Sequence, residues 1–270
     1  MRPLAPLPDR SLPADFLVAR LHGRLPALAV DWTEWDLAAS TVPWQLRGPA
    51  AALAAQAGAA GVGRFCRQEA LWVYRRASLG LRRCLAPVFL WLALPELAAT
   101  FRLRLAGLAP ATGSRLLDPD LTGLLAQPGE PAAMLARLDR YLAGLAPGLG
   151  GLAAAFGREG GRGAERRLAD LWWQLMASRA GQPLVASWLD RLAGVLVHTR
   201  QRADPADGGV AEAAGLAAIT VWLRRQRSEG SGVGFLLHYL WTLFRYRHNL
   251  GLILAAAAVA PERVGALLLR

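Results

Sequence analysis

Apolar residues recur along this chain at intervals of three and four, the spacing that lines one face of an α-helix. The clearest stripe is Val185, Trp188, Leu189, Leu192, Val195 and Leu196. A second runs through Leu168, Leu171, Trp172 and Leu175, and a third through Leu236, Tyr239, Leu240, Leu243, Leu250, Ile253 and Leu254. Walking from the start, the pattern predicts helices over 15–25, 32–40 and 43–60, a break at the glycines Gly58–Gly63, and a long helix over 64–84. Pro87 suits the first turn of the next helix, which runs to about Gly107 with Pro95 as a kink. Helices over 132–145, 165–179 and 210–227 follow, with a Gly-rich loop holding a short helical piece over 147–163, a turn at 181–183 and another at 228–232. Pro261-Glu262 opens a last short helix ending at Arg270.

The breaks divide the chain. Residues 109–131 and 204–209 are rich in Pro, Gly and Asp, and they predict boundaries between segments 1–110, 111–205 and 206–270. Three apolar, aromatic helices in these segments each end in Arg-x-Arg, as Arg102 and Arg104, Arg200 and Arg202, and Arg245 and Arg247. The first two follow a helix with clustered aromatics, LWVY at 71–74 and LWWQL at 171–175. The expectation is an all-α fold of three related helical bundles, the last one short. Chance recurrence in an Arg-rich chain is the competing account.

Composition agrees with helix. Hydrophobic residues make up 54 % of 270, dominated by Ala and Leu, the strongest helix formers. A net charge of +11 carried by Arg, with no Lys, points to acidic partners or surfaces, or to a GC-rich genome. Net charge is +6, +2 and +3 over the three segments, so no basic tail stands out and a nucleic-acid partner is disfavoured. Cys66 and Cys84 are too few for a disulfide scaffold, and a reduced, cytoplasmic setting is expected. The start lacks the apolar core of a signal peptide. The apolar stretch 85–101, interrupted by Pro87, Pro95 and Glu96, falls short of a clean membrane span. A mean hydropathy of +0.25 implies tight packing or apolar surface left for partners.

Reactive chemistry finds little footing. Without Lys there is no phosphate-loop or Schiff-base lysine, and neither His-Glu-x-x-His nor a strand followed by Gly-x-Gly-x-x-Gly occurs. The histidines His22, His198, His238 and His248 are not spaced as metal ligands and read as structural, so no catalytic residue, cofactor or metal is expected. Arginines on a solvated face keep a protein soluble. On a contact face they pair bidentately with carboxylate or phosphate.

The closing stretch FLLHYLWTLFRYRHNLGLILAAAAVAPERVGALLLR, residues 235–270, resembles the C-terminal end of the socket-subunit family of V/A-type rotary ATPases, the C-type subunit of the archaeal and bacterial enzymes and the d-type subunit of the eukaryotic one. The resemblance rests on Tyr239, Asn249, Leu250, Ile253, Pro261, Glu262, Val264 and Leu268. The opening FLVARLHGRL, with Ala19 and Arg20, and the segments AERRLADLWWQL and WLDRLAGVLVHTRQR also resemble that family. Departures include Phe244, Tyr246 and Arg247 where the family commonly carries acids, Gly251 where it often has Arg, and a short chain, marking a divergent member.

The resemblance implies a non-catalytic socket between the central-stalk subunits and the membrane proteolipid ring. It would pass torque for proton or sodium transport from the cytoplasmic face of the membrane, with no small-molecule substrate. Candidate partner-binding residues are Arg102, Arg104, Arg200, Arg202, Arg245, Arg247 and Asn249, for which core-edge salt bridges are an equal account. The rival function is an unrelated helical protein-interaction module, peripheral to the membrane.

Overall fold

A computed structural model describes residues 4, 11–28, 49–108, 117–200, 205–228, 232–255, 264 and 266–269. Among these the fold is all-α. The only extended pairing among them is an isolated antiparallel bridge between Leu4 and Leu117. The helices are α1 (Ala14–Arg24), α2 (Pro49–Arg76), α3 (Leu79–Cys84), α4 (Ala86–Leu105), α5 (Pro119–Ala126), α6 (Pro131–Leu145), α7 (Leu152–Ser178), α8 (Pro183–Arg200), α9 (Pro205–Gln226) and α10 (Val233–Ala255). A 3-10 turn, Leu25–Leu28, continues α1.

The chain groups into two compact units: one of Met1–Asp9 with Arg82–Gly181, the other of Arg10–Leu81 with Gln182–Arg270. Their edges fall elsewhere than residues 110 and 205. In the first unit α4 packs along α7, and α6 joins α7 with α5 beside it. Phe89, Leu97, Phe101, Leu135, Leu138, Leu152, Trp172 and Met176 are buried there. In the second unit α10 is central: α2 and α9 pack along it, α8 pairs with α9, and α1 and its 3-10 turn also touch α10. That explains why α10 is apolar nearly all round, with Phe235 to Leu243 buried without interruption.

Four sequence expectations about helix bounds are corrected. The glycines Gly58–Gly63 do not break the chain, because α2 runs unbroken from Pro49 to Arg76. Each glycine costs about 1 kcal/mol relative to Ala in a helix. Burial of Gly61, Val62 and Gly63 in a helix that packs on α10 offsets that cost. The helix also stops short of Cys84. It ends at Arg76, and the Ser78 hydroxyl accepts the Leu81 N–H at 3.3 Å, opening α3 as an N-cap does.

The expected loop over 147–163, with its short helical piece, is mostly helix. α7 starts at Leu152, and its departure from helical geometry is at Gly160 (φ 62°, ψ −151°), a conformation that glycine alone tolerates. α9 likewise starts five residues early, at Pro205, where a missing N–H is harmless. The expected helix over 32–40 lies outside the described residues, as does most of the closing one. α4 does meet the length and apolarity of a membrane span, a test that core helices also pass, and it carries Pro95 inside it.

Candidate functional site

Of the residues that carry the C-terminal resemblance, Tyr239, Asn249, Leu250 and Ile253 lie on α10, while Pro261 and Glu262 lie outside the described residues. Asn249 is wholly buried, and its carboxamide grips one backbone residue from both sides. Its Oδ1 accepts the Leu269 N–H at 2.9 Å, and its Nδ2 donates to the Leu269 carbonyl at 3.1 Å. Arg245 donates to the same carbonyl through Nε at 3.1 Å and Nη2 at 2.8 Å. The His248 Nε2 lies 3.4 Å from the Leu267 carbonyl oxygen. Leu268 and Leu269 are buried, as is Val264, so the segment is fixed by side chains where no strand partner exists.

Earlier on α10, Tyr239 donates its hydroxyl to Glu69 of α2 at 3.1 Å. Glu69 also takes Arg24 of α1, whose Nη1 lies 2.7 Å from both carboxylate oxygens. The Arg24 guanidinium lies 4.1 Å from the centre of the Trp72 ring, a cation–π contact. One carboxylate thus ties three helices together. Burial, with Glu69 beside it, raises the Tyr239 phenol above its ordinary range, so it stays a donor. Burial pushes the Cys66 thiol up to about 12, with Arg247 opposing. At neutral pH Cys66 is therefore not a nucleophile.

The Arg-x-Arg pairs have divergent surroundings. Arg102, at the end of α4, is exposed and pairs with Glu165 at 2.9 Å. Arg104 is buried; its Nη2 donates to the Gln127 carbonyl at 2.7 Å and the Gly129 carbonyl at 3.4 Å, and its Nη1 to the Leu108 carbonyl at 3.4 Å. These carbonyls follow the C-terminal ends of α4 and α5, where helices leave acceptors unpaired and carry partial negative charge. Arg200 closes α8, while its side chain and all of Arg202 lie outside the described residues. Arg245 and Arg247 do not end their helix, which continues to Ala255. Arg247 is half-buried near Gly63, a Cβ on which would lie 3.9 Å from its Nε. Arg245 and Asn249 therefore bond to the chain's own backbone, as Arg104 does through Nη1 and Nη2 while its buried Nε has no partner, and Arg102 presents most of its side chain to solvent.

Glu69 and Asp139 were not singled out by sequence reasoning, and Trp172 was read only as part of an apolar stripe. The Asp139 carboxylate of α6 accepts the Leu152 and Ala153 N–H groups at 2.8 and 3.0 Å, capping α7 from a neighbouring helix. Trp172 donates its indole N–H to the Leu90 carbonyl of α4 at 3.0 Å. Glu69 was visible as a lone acid on an otherwise apolar and basic helix, but its two partners are distant in sequence. Among the described residues, no three His, Cys, Asp or Glu side chains gather as a metal site. No family model, no curated protein and no solved structure matches the chain.

Proposed function

We propose that this chain is a non-catalytic helical adaptor, the socket of a V/A-type rotary ATPase between its central-stalk subunits and its membrane proteolipid ring. In this role it passes torque from ATP hydrolysis elsewhere to proton or sodium translocation. The observation that carries the reading is the block 235–270. Of the residues through which it resembles the socket-subunit family, Asn249 grips Leu269, Tyr239 reaches Glu69, and Leu250, Ile253, Val264 and Leu268 are buried. A socket under load needs helices locked by polar ties at their ends and apolar seams between them, and both are present in this block. In the same reading the polypeptide repeats one bundle over 1–110, 111–205 and 206–270, the last copy short, and Arg102 is, among the described residues, a candidate partner contact that faces solvent.

The test is affinity purification of the full chain from its native membranes. Recovery of proteolipid and central-stalk subunits in fixed proportion is the expected result. Recovery of neither, from membranes in which both are present, ends the proposal. The second reading, an unrelated helical interaction module peripheral to the membrane, draws on the grouping of the chain into two compact units rather than three. It also draws on the exposed Phe16, Leu108 and Val197, apolar side chains that suit contact with a partner. Recovery of a stable partner from outside the ATPase would favour it.

A further inference from the structure

α9 and α10 run antiparallel in the second unit, and two contacts fix their register. At one end the Trp241 indole N–H donates to the Thr220 hydroxyl at 2.9 Å. At the other, Gly234 sits so close to α9 that a Cβ there would overlap the Gln226 carbonyl oxygen. Arg224 lies one turn beyond Thr220, and His238 one turn before Trp241, so the two meet across the seam. Arg227 stands beside the Gly234 end. Arg245 continues the His238–Trp241 face of α10 by one further turn.

The seam therefore gathers one sign of charge. Arg224 and Arg227 are exposed, whereas His238 and Arg245 are each 6 % exposed. Among the described residues no carboxylate pairs with any of the four. The His238 Nδ1 is buried without a hydrogen-bond partner. Burial and the cations Arg227, Arg224 and Arg245 hold the imidazole down to about 4, so it is neutral at physiological pH. Buried charge is ordinarily paired, and a buried polar atom ordinarily bonded. Cations at the end of α9 also interact favourably with its dipole, which accounts for the exposed arginines alone. It does not account for a buried imidazole behind them whose Nδ1 is left unbonded.

We propose that the α9–α10 seam binds a phosphate group, with Arg224 and Arg227 at its mouth and His238 behind them, while Arg245, held on Leu269, adds positive charge without a direct contact. Two guanidiniums one turn apart supply forked donors that match tetrahedral phosphate oxygens, and the imidazole supplies a further N–H. The phosphate is carried either by a small soluble molecule or by a lipid headgroup. The inference stands whether or not the chain belongs to a rotor, because Arg224, Arg227 and His238 are not among the residues on which the resemblance rests.

The first experiment titrates inorganic phosphate into the full chain against chloride at matched ionic strength and pH. It follows the melting temperature and the His238 ring resonances. A saturating rise in melting temperature with a parallel His238 shift is expected. The double variant R224Q/R227Q, altered at exposed positions and so expected to fold, should weaken the apparent affinity by at least about tenfold. A rise that does not saturate, or that the double variant retains in full, reflects general salting and overturns the proposal, as does no rise at all. A second arm separates the sources. Co-sedimentation with phosphatidylcholine vesicles only when they contain phosphatidic acid, lost in R224Q/R227Q, assigns the phosphate to a headgroup. A saturating phosphate response without co-sedimentation assigns it to a soluble molecule.

Discussion

Arg104 in the first unit and Arg245 in the second are a matched pair with different outcomes. Both are buried, and both reach backbone carbonyls more than twenty residues further along the chain, Arg104 at Gln127 and Gly129 and Arg245 at Leu269. Arg104 sits where α4 ends, among carbonyls left open by two helix C-termini, so negative partial charge already surrounds it. Arg245 sits in the middle of α10, shares its one acceptor with Asn249, and is pulled down to about 10 by burial and by Arg224. The same side chain is a neutralised staple in one setting and surplus positive charge in the other. The position of an arginine within its helix, more than its burial, decides which of the two it becomes.

The sharpest break in this comparison is Arg104→Met. It leaves the Gln127, Gly129 and Leu108 carbonyls short of donors and should lower the unfolding free energy by about 3 kcal/mol. Arg245→Met should cost only about 1 kcal/mol, because Leu269 keeps Asn249 and the repulsion from Arg224 is relieved. Urea denaturation of the two variants measures both, and equal losses would erase the distinction.

The pH response should differ almost as much, since all four histidines lie in the second unit. His238 has a folded pKa near 4 against 6.5 for the free side chain, so between these values the unfolded chain binds the extra proton. Its contribution is complete above about pH 6.5 and falls away toward pH 4, on the order of 3 kcal/mol. His248, also lowered by burial, acts in the same sense, and Glu212, raised by burial, acts in the opposite one. Amide exchange in α9 and α10 should accelerate through this window ahead of exchange in α4 and α7. His238→Gln should flatten the difference.

Asn249→Ala removes both bonds to Leu269 from a dry site and should cost about 2 kcal/mol, with the 266–269 amides exposed to exchange before the rest of the second unit. The smallest effect belongs to Arg102→Ala. Its exposed pair with Glu165 should be worth less than about 0.5 kcal/mol, so a large loss of partner recovery without a loss of stability would mark Arg102 as a contact residue.

Helix type and approximate position could be read from the apolar period alone, because that period records which face each helix buries. What escaped was set by contacts distant in sequence. Asp139 caps a helix that begins thirteen residues later, so 147–163 looked like a loop. Packing on α10 absorbs the glycines of α2, so 58–63 looked like a break. Arg245 and Arg104 shared a motif, yet the acceptors that distinguish them, at Leu269 and Gln127, lie in other segments. Asn249 stood out through family resemblance, while its task of mimicking a peptide partner for Leu269 required coordinates.

Cys66 and Cys84 sit on opposite sides of the division between the units, one in α2 and one in the part of α3 grouped with the first unit. Cys66 is buried near Tyr239 and Arg247 and reacts only when α2 lifts from α10, while half-buried Cys84 answers to its own surroundings. Alkylation of the unmodified chain, timed residue by residue, thus becomes an internal stopwatch for transient opening. It needs no engineered label and gives a separate reading for each half of the molecule.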